Sequence, residues 1–179
     1  MAAKSFARLV GGKWKQIIAT VISGGAANAG DIPALDDSGR LHMSLMPAGI
    51  GANTQSVVAS EAIGAGKFVN YWPDASGGVA VIKMRLADNS NGRAADGFVL
   101  EAVSKDAAGT VYPLDSVNSA LTGLSAGAEY YLGTAGGLLS VPLDETLAAN
   151  QGVGKVSQFL GVAKSATELV TNDRDPVTL

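Results

Sequence analysis

Residues 29–47 read A-G-D-I-P-A-L-D-D-S-G-R-L-H-M-S-L-M-P and divide the chain into two regions of different character. A basic, partly apolar region precedes them, and a long glycine-punctuated region follows. Pro33 and Pro47 disfavour helix just upstream of each. The segment Asp36-Asp37-Ser38-Gly39 predicts a turn, because aspartate side chains bond nearby backbone and glycine accepts positive φ. We therefore interpret residues 29–54 as a Gly/Pro connector that follows an extended N-terminal arm, residues 1–28.

Apolar and polar residues alternate after this turn and again in the second region. Leu41, Met43 and Leu45 alternate with their neighbours, which predicts a short extended segment with one apolar face. The clearest half-buried strand is 79–87, where Ala80, Ile82, Met84 and Leu86 share one side of an alternating pattern.

Short apolar runs separated by turn signals continue through residues 55–171. One of these turns, Asn91-Gly92, is typical of a type I′ hairpin with positive φ at both residues. The regular spacing of short apolar runs and turns predicts an all-β body over residues 55–171, either a small β-barrel or a β-sandwich. We expect residues 172–179 to be a frayed tail.

The composition predicts a thin hydrophobic core. Glycine contributes 23 of 179 residues and aromatic residues only 6%, so much of the apolar content consists of small side chains. Burial of apolar surface stabilises a fold by roughly 25 cal/mol per Å². Small side chains bury little such surface each, so each contributes little. Self-association supplies additional burial, which favours an oligomer. The alternative is a glycine-rich monomer with many tight turns.

The charge is uneven along the chain. The net charge of −3 is too mild to favour nucleic-acid binding, yet four basic residues and no acidic residue fall within the first fifteen positions. Such an arm is suited to an acidic partner surface, and a solvated, disordered N-terminus is the alternative. The candidate partner-binding residues are Lys4, Phe6, Arg8, Lys13, Trp14 and Lys15.

The residues offer little for catalysis. There is no cysteine, and His42, the single histidine, has no nucleophile motif beside it. Asp36 and Asp37 are adjacent, so an extended turn points them apart. We therefore predict no enzyme activity, no metal, no cofactor, no nucleic-acid partner and no membrane partner. A carbohydrate-binding domain would use exposed aromatic residues, and its candidates are Tyr71, Trp72, Tyr130 and Tyr131.

The connector resembles a segment found in head-decoration and appendage proteins of tailed bacteriophages. Two segments of the body, 124–132 (L-S-A-G-A-E-Y-Y-L) and 160–169 (L-G-V-A-K-S-A-T-E-L), resemble strands of the small β-domains in such decoration and fibre proteins. The matching connector residues are Ala29, Gly30, Ile32, Pro33, Ala34, Leu35, Asp36, Ser38, Gly39, Arg40, Leu41, Ser44, Met46 and Pro47.

This resemblance implies a structural virion protein that is assembled in the host cytoplasm. In such proteins a short arm anchors a projecting β-rich body, often a trimer, so the resemblance leads us to expect a homotrimer. The resemblance leads us to expect a capsid decoration or cement protein, whose partners are the major capsid protein or another virion protein. The alternative is a tail-fibre or baseplate component with a receptor-binding or carbohydrate-binding β domain.

Overall fold

The computed structural model describes residues 4–37, 39–46, 53–151 and 154–179, so Ser38 and Pro47 of the connector lie outside the described part. The chain is nearly all β and contains a closed five-stranded barrel, which confirms the all-β prediction. It divides into two compact units, Met1–Gly51 and Ala52–Leu179. In chain order the strands are β1 (Ser5–Val10), β2 (Lys13–Ile18), β3 (Gln55–Ala59), β4 (Phe68–Asp74), β5 (Val81–Leu86), β6 (Gly97–Val99), β7 (Ala108–Tyr112), β8 (Val117–Asn118), β9 (Glu129–Leu132), β10 (Leu138–Leu139), β11 (Val156–Ser157), β12 (Phe159–Ala163), β13 (Leu169–Thr171) and β14 (Val177–Thr178).

The N-terminal arm is folded rather than extended. Strands β1 and β2 form an antiparallel hairpin. The connector returns beside the end of this hairpin, where the Thr20 N–H donates to Ile32 O and the Ala34 N–H donates to Thr20 O. Arm and connector therefore belong to one unit, although their sequences suggested two separate segments.

The predicted connector turn is present, but the extended segment after it is not. Gly39 has a φ of 75°, and its N–H donates to Asp36 O. Residues Met43–Leu45 instead form a turn of 3-10 helix. The reason is local, because the Ser44 N–H donates to His42 Nδ1 and the Leu45 N–H donates to His42 O. These bonds outweigh the weak preference of a short alternating pattern.

The second unit contains the closed barrel, in the strand order β3-β5-β4-β6-β7. Strands β3 and β5 pair in parallel, and the other neighbours pair antiparallel. Gly109 faces the interior, where a Cβ would lie 2.4 Å from Val103 Cγ2. The barrel is therefore packed too closely for any side chain at that position. The interior cluster consists of Val57, Ala59, Ile63, Val69, Met84, Val99, Val103 and Val111.

A five-stranded sheet, in the order β10-β9-β12-β13-β8, covers one side of the barrel. Phe68 and Phe98 point outward from the barrel and belong to the same buried cluster as Leu132 and Leu160 of the sheet. Buried Gln158 also joins the two layers, since its side-chain amide bonds both the N–H and the C=O of Ala95. The body is thus one barrel and one sheet sharing a core.

Two expectations for the body differ from the structure. Val177 and Thr178 form β14, which pairs with β11, so the C-terminal residues are tied to the body rather than frayed. In the predicted turn, Gly92 has a φ of 74°, but Asn91 is not among the residues of positive φ. The loop is closed by a wider bond from the Arg93 N–H to Asp88 O. The four residues between Asp88 and Arg93 remove the need for a type I′ turn, which spans two.

Candidate partner-binding surface

The β1–β2 hairpin is built on a two-residue glycine turn. Val10 pairs with Lys13, and the intervening Gly11 and Gly12 have φ of 59° and 75°. Positive φ at both central residues defines the type I′ turn, whose twist matches that of the two strands it joins. A Cβ at either glycine would meet nothing within 4 Å, so backbone conformation alone accounts for the two residues.

The register of the hairpin separates the candidate residues onto two faces. Residues directly opposite each other in an antiparallel pair share a face, and faces alternate along each strand. One face carries the opposed pairs Phe6–Ile17, Arg8–Lys15 and Val10–Lys13. The other carries Ser5–Ile18, Ala7–Gln16 and Leu9–Trp14. Trp14 therefore lies on the face opposite to Lys13 and Lys15, its neighbours in sequence.

The face with Trp14 exposes large apolar side chains beside Ser5 and Gln16, whose side chains bond each other. Trp14 is 75% exposed, and Leu9 and Ile18 are also exposed by more than half. Each of these side chains would lose exposed apolar surface on contact with a partner, and tryptophan with its indole N–H is well suited to an interface.

The other face concentrates positive charge. Arg8 lies directly opposite Lys15, and within the described part of the chain neither of them nor Lys13 forms an ion pair. Directly opposed like charges destabilise a hairpin. Nearby anions of a partner would relieve this repulsion, so the face is matched to an acidic surface.

The other two candidates have different surroundings. The Lys4 ammonium donates to Leu35 O and lies 3.6 Å from Asp37 Oδ1, so it holds the connector within the first unit. Phe6 is half-buried opposite Ile17. The structure therefore places Arg8, Lys13 and Lys15 together on one face of the hairpin, and Trp14 on the opposite face. Lys4 instead contacts Leu35 and Asp37 within the first unit.

A cavity of about 130 Å³ lies within the first unit, lined by both polar and apolar groups. Its carboxylate, Asp31, accepts hydrogen bonds from the Asn28 amide and the Thr20 hydroxyl, which lower the pKa of Asp31. These bonds fasten the connector to the end of β2. The polar groups of the cavity thus serve the fold of the unit.

His42 also has a local role. Its Nδ1 lies 2.9 Å from Ser44 Oγ, which accepts a bond from the Ser23 N–H. The imidazole and the hydroxyl therefore order this part of the connector. Over residues 4–37, 39–46, 53–151 and 154–179, no group of three or more histidine or acidic side chains is arranged to hold a metal ion. Nor does this described part include a helix long and apolar enough to cross a bilayer.

The aromatic residues considered for sugar binding are largely engaged by the protein. Tyr130 is buried, and its hydroxyl accepts a bond from the Ser125 N–H. The Arg85 guanidinium lies 5.2 Å from the centre of the Trp72 ring, and the Trp72 Nε1–H donates to Ser60 Oγ. Tyr131 is half-buried and makes an edge contact with Phe159.

The sequence interpretation did not recognise that Leu9 and Ile18 lie on the same face of the hairpin as Trp14. The signal was the Gly11-Gly12 dipeptide between two apolar runs, which predicts a two-residue hairpin rather than a bend. That turn fixes the register, and the register assigns every side chain of the arm to a face.

Comparison with known proteins gives no relative on which to base a family assignment: no family model, no curated protein and no solved structure matches the chain.

Proposed function

We propose that this chain is a structural virion protein of a tailed bacteriophage, a capsid decoration protein that binds the head surface and stabilises it. The proposal assigns anchoring to the β1–β2 hairpin and projection to the β body, with three copies in the assembled unit. It draws on the connector resemblance and on the hairpin, and it assigns no catalytic step to the chain.

The observation that carries the proposal is the pair of exposed faces on the hairpin. A two-stranded hairpin is marginally stable alone in water, and stability normally comes from a third strand or from packing of a face. Leu9, Trp14 and Ile18 remain exposed on the apolar face. A particle surface that covers them would supply the missing burial.

Charge supports a protein partner with an acidic surface. Arg8 and Lys15 are opposed without a compensating anion in the described part of the chain. Their repulsion falls when carboxylates of the capsid approach, which adds to the affinity and steers encounter at low salt. The contact is therefore expected to weaken as the ionic strength rises.

The test is cosedimentation of the full-length protein with particles from a phage whose copy of this gene is deleted. Trp14→Ala combined with Leu9→Ala is expected to weaken binding by at least tenfold, because it removes the centre of the apolar face. The matched control is Val79→Ala in the body, since Val79 is 76% exposed and apolar. Full binding by the hairpin variant would overturn the anchoring assignment.

A charge series tests the opposite face. Arg8→Glu with Lys15→Glu is expected to reduce binding most strongly at low salt, and Lys105→Glu, an exposed lysine of the body, is expected to leave it unchanged. Electron microscopy of particles with labelled protein then locates the site. Labelled heads support decoration, whereas labelled tails contradict it and support the fibre or baseplate alternative.

A further inference from the structure

The outward face of the five-stranded sheet is apolar. Alternation along the strands assigns its residues, because their neighbours in sequence, such as Tyr130, Leu132, Leu160 and Leu169, are buried in the core. Only one of the outward residues is charged. The outward residues are Val117, Val170, Val162, Glu129, Phe159, Tyr131 and Leu139.

Three valines form a continuous row on this face. Val117 pairs with Val170, and Val170 pairs with Val162, so the row crosses β8, β13 and β12 without interruption. Their exposed fractions lie between 38% and 45%. Short β-branched side chains in register make a flat surface of the kind that packs against another sheet, with about 10 Å between the two.

The barrel in the same unit provides a comparison. Its outward side carries Asn70 opposite Arg85 and Ser56 opposite Thr110, together with Lys83. The Arg85 Nε–H donates to Asn70 Oδ1, and Lys83 pairs with Asp74. An antiparallel sheet facing water is normally polar on that side, and the barrel follows this pattern in part, with Val58 and Val81 exposed among its polar groups. The sheet departs further from the pattern, because its valines form one continuous row, and this marks its outward face as a contact surface.

The charges at the rim of the face indicate what covers it. Glu129 accepts a hydrogen bond from the Tyr131 hydroxyl, and the Arg174 guanidinium lies 4.4 Å from the centre of the Phe159 ring. Tyr131 and Phe159 touch, so both charges border the same aromatic pair. A partner of either sign would attract one of them and repel the other. A copy of this surface offers both signs and therefore complements itself.

A sugar fits the face less well. Carbohydrate binding uses an open aromatic ring face, and Arg174 lies over the ring of Phe159.

The net charge of the body opposes contact between copies elsewhere on its surface. Residues 52–179 contain eight basic and thirteen acidic side chains, a net charge of −5, so two bodies that approach through other surfaces repel each other. The apolar face carries one charged residue, Glu129, with Arg174 beside it, so repulsion between two such faces is small.

We propose that the outward face of the sheet β10-β9-β12-β13-β8 is the self-association surface of the protein, where it packs against copies of this chain. The inference rests on the self-association included in the proposed function and names the surface responsible. It is independent of which particle the hairpin binds.

The experiment measures the mass of the full-length protein in solution by light scattering and sedimentation velocity. The single chain has a mass of 18.0 kDa, and the wild type is expected at twice that value if two faces pack on each other about a twofold axis, or at three times that value if the faces meet around a threefold axis. Val162→Glu and Val170→Glu, tested separately, are expected to reduce the mass to that of a single chain. Val162→Lys is expected to do the same, since loss of apolar contact rather than the sign of the charge is responsible.

The control is Val81→Glu, an equally drastic change at an exposed valine of the barrel, which is expected to keep the wild-type mass. Far-UV circular dichroism and thermal melting establish that each variant is folded. A monomeric wild type at about 100 µM overturns the proposal, as does an unchanged mass in all three variants of Val162 and Val170.

The outcomes separate this inference from the anchoring proposal. A monomeric Val162→Glu protein that still cosediments with particles supports both. A monomeric wild type that binds particles through its hairpin overturns the self-association surface and leaves anchoring intact. A wild-type oligomer that is split by Val162→Glu but never binds particles supports the surface and overturns anchoring.

Discussion

Lys83 Nζ lies 2.7 Å from Asp74 Oδ2 across the β4–β5 hairpin, and the two side chains are 23% and 10% exposed. Asp74 is opposite Val81 in the register, and Trp72 is opposite Lys83, so the charged pair is a diagonal contact on the outward side of the barrel. The Ser76 N–H adds a hydrogen bond of 3.0 Å to Asp74 Oδ1. The ion pair therefore fastens the end of the hairpin at its loop.

This pair predicts a stability change in acid. The hydrogen bond from Lys83, followed by those from Ser76, lowers the pKa of Asp74 from 3.8 to about 2. The unfolded chain then binds the proton more readily, so the contribution of Asp74 is fully present above about pH 4 and is lost as the pH falls towards 2. In thermal melts between pH 2 and 6, the wild type is expected to exceed Asp74→Asn most at pH 5 to 6.

The gap between the two melting temperatures is expected to narrow as the solution is acidified to pH 2. In Lys83→Gln the carboxylate lacks its main partner, so the acid-dependent part of the melting temperature is expected to shrink. A gap that stays constant from pH 6 to pH 2 would show that the ion pair does not stabilise the fold.

The strand containing Lys83 illustrates what the sequence predicts well. Alternation over residues 79–87 predicts a strand, and β5 occupies Val81–Leu86 with Met84 buried. Ile82 shares the alternating face with Met84, yet it is mostly exposed. The reason is tertiary, because β3 pairs only with Lys83 and Met84 and leaves Ile82 beyond the end of that pairing. Alternation assigns a side of a strand but cannot tell where a neighbouring strand stops.

The candidate surface was predicted less completely than the fold. The residue types of the arm indicate a basic surface with an aromatic anchor. Separation of Trp14 from Arg8 and Lys15 depends on the hairpin register, which follows from reading Gly11-Gly12 as a two-residue turn. The bond of Lys4 to Leu35 O joins positions 31 residues apart, which local pattern cannot reveal.

Gly161 provides a test of the sheet geometry. The pairing of β12 with β9 is irregular between Phe159 and Gly161, and Gly161 has a φ of 155°. A Cβ there would lie 2.1 Å from the carbonyl oxygen of Val170. The neighbouring strand would have to move, so Gly161→Ala is expected to lower the free energy of unfolding by about 2 kcal/mol or more.

The matched control is Gly77→Ala in the β4–β5 loop, where an added Cβ meets nothing within 4 Å and φ is not positive. We expect this variant to unfold within about 0.5 kcal/mol of the wild type in urea. Equal stability of the two alanine variants would show that β12 and β13 are not as close as described.

The pairing of β14 with β11 predicts that the body, folding alone, is more stable when its last residues are included. A chain of residues 53–179 retains β14 and its pairing with β11, together with the contact of Arg174 with Phe159 and the bond from the Asn172 N–H to Leu160 O. We expect it to show a β-type circular dichroism spectrum and a cooperative melt. A chain of residues 53–171 lacks these contacts, and a loss of about 2 kcal/mol corresponds to a melting temperature lower by about 5–10 °C. Identical melting temperatures would mean that β14 adds nothing to stability. A helical spectrum or a non-cooperative melt of the longer chain would instead show that residues 53–179 are not an independent β domain.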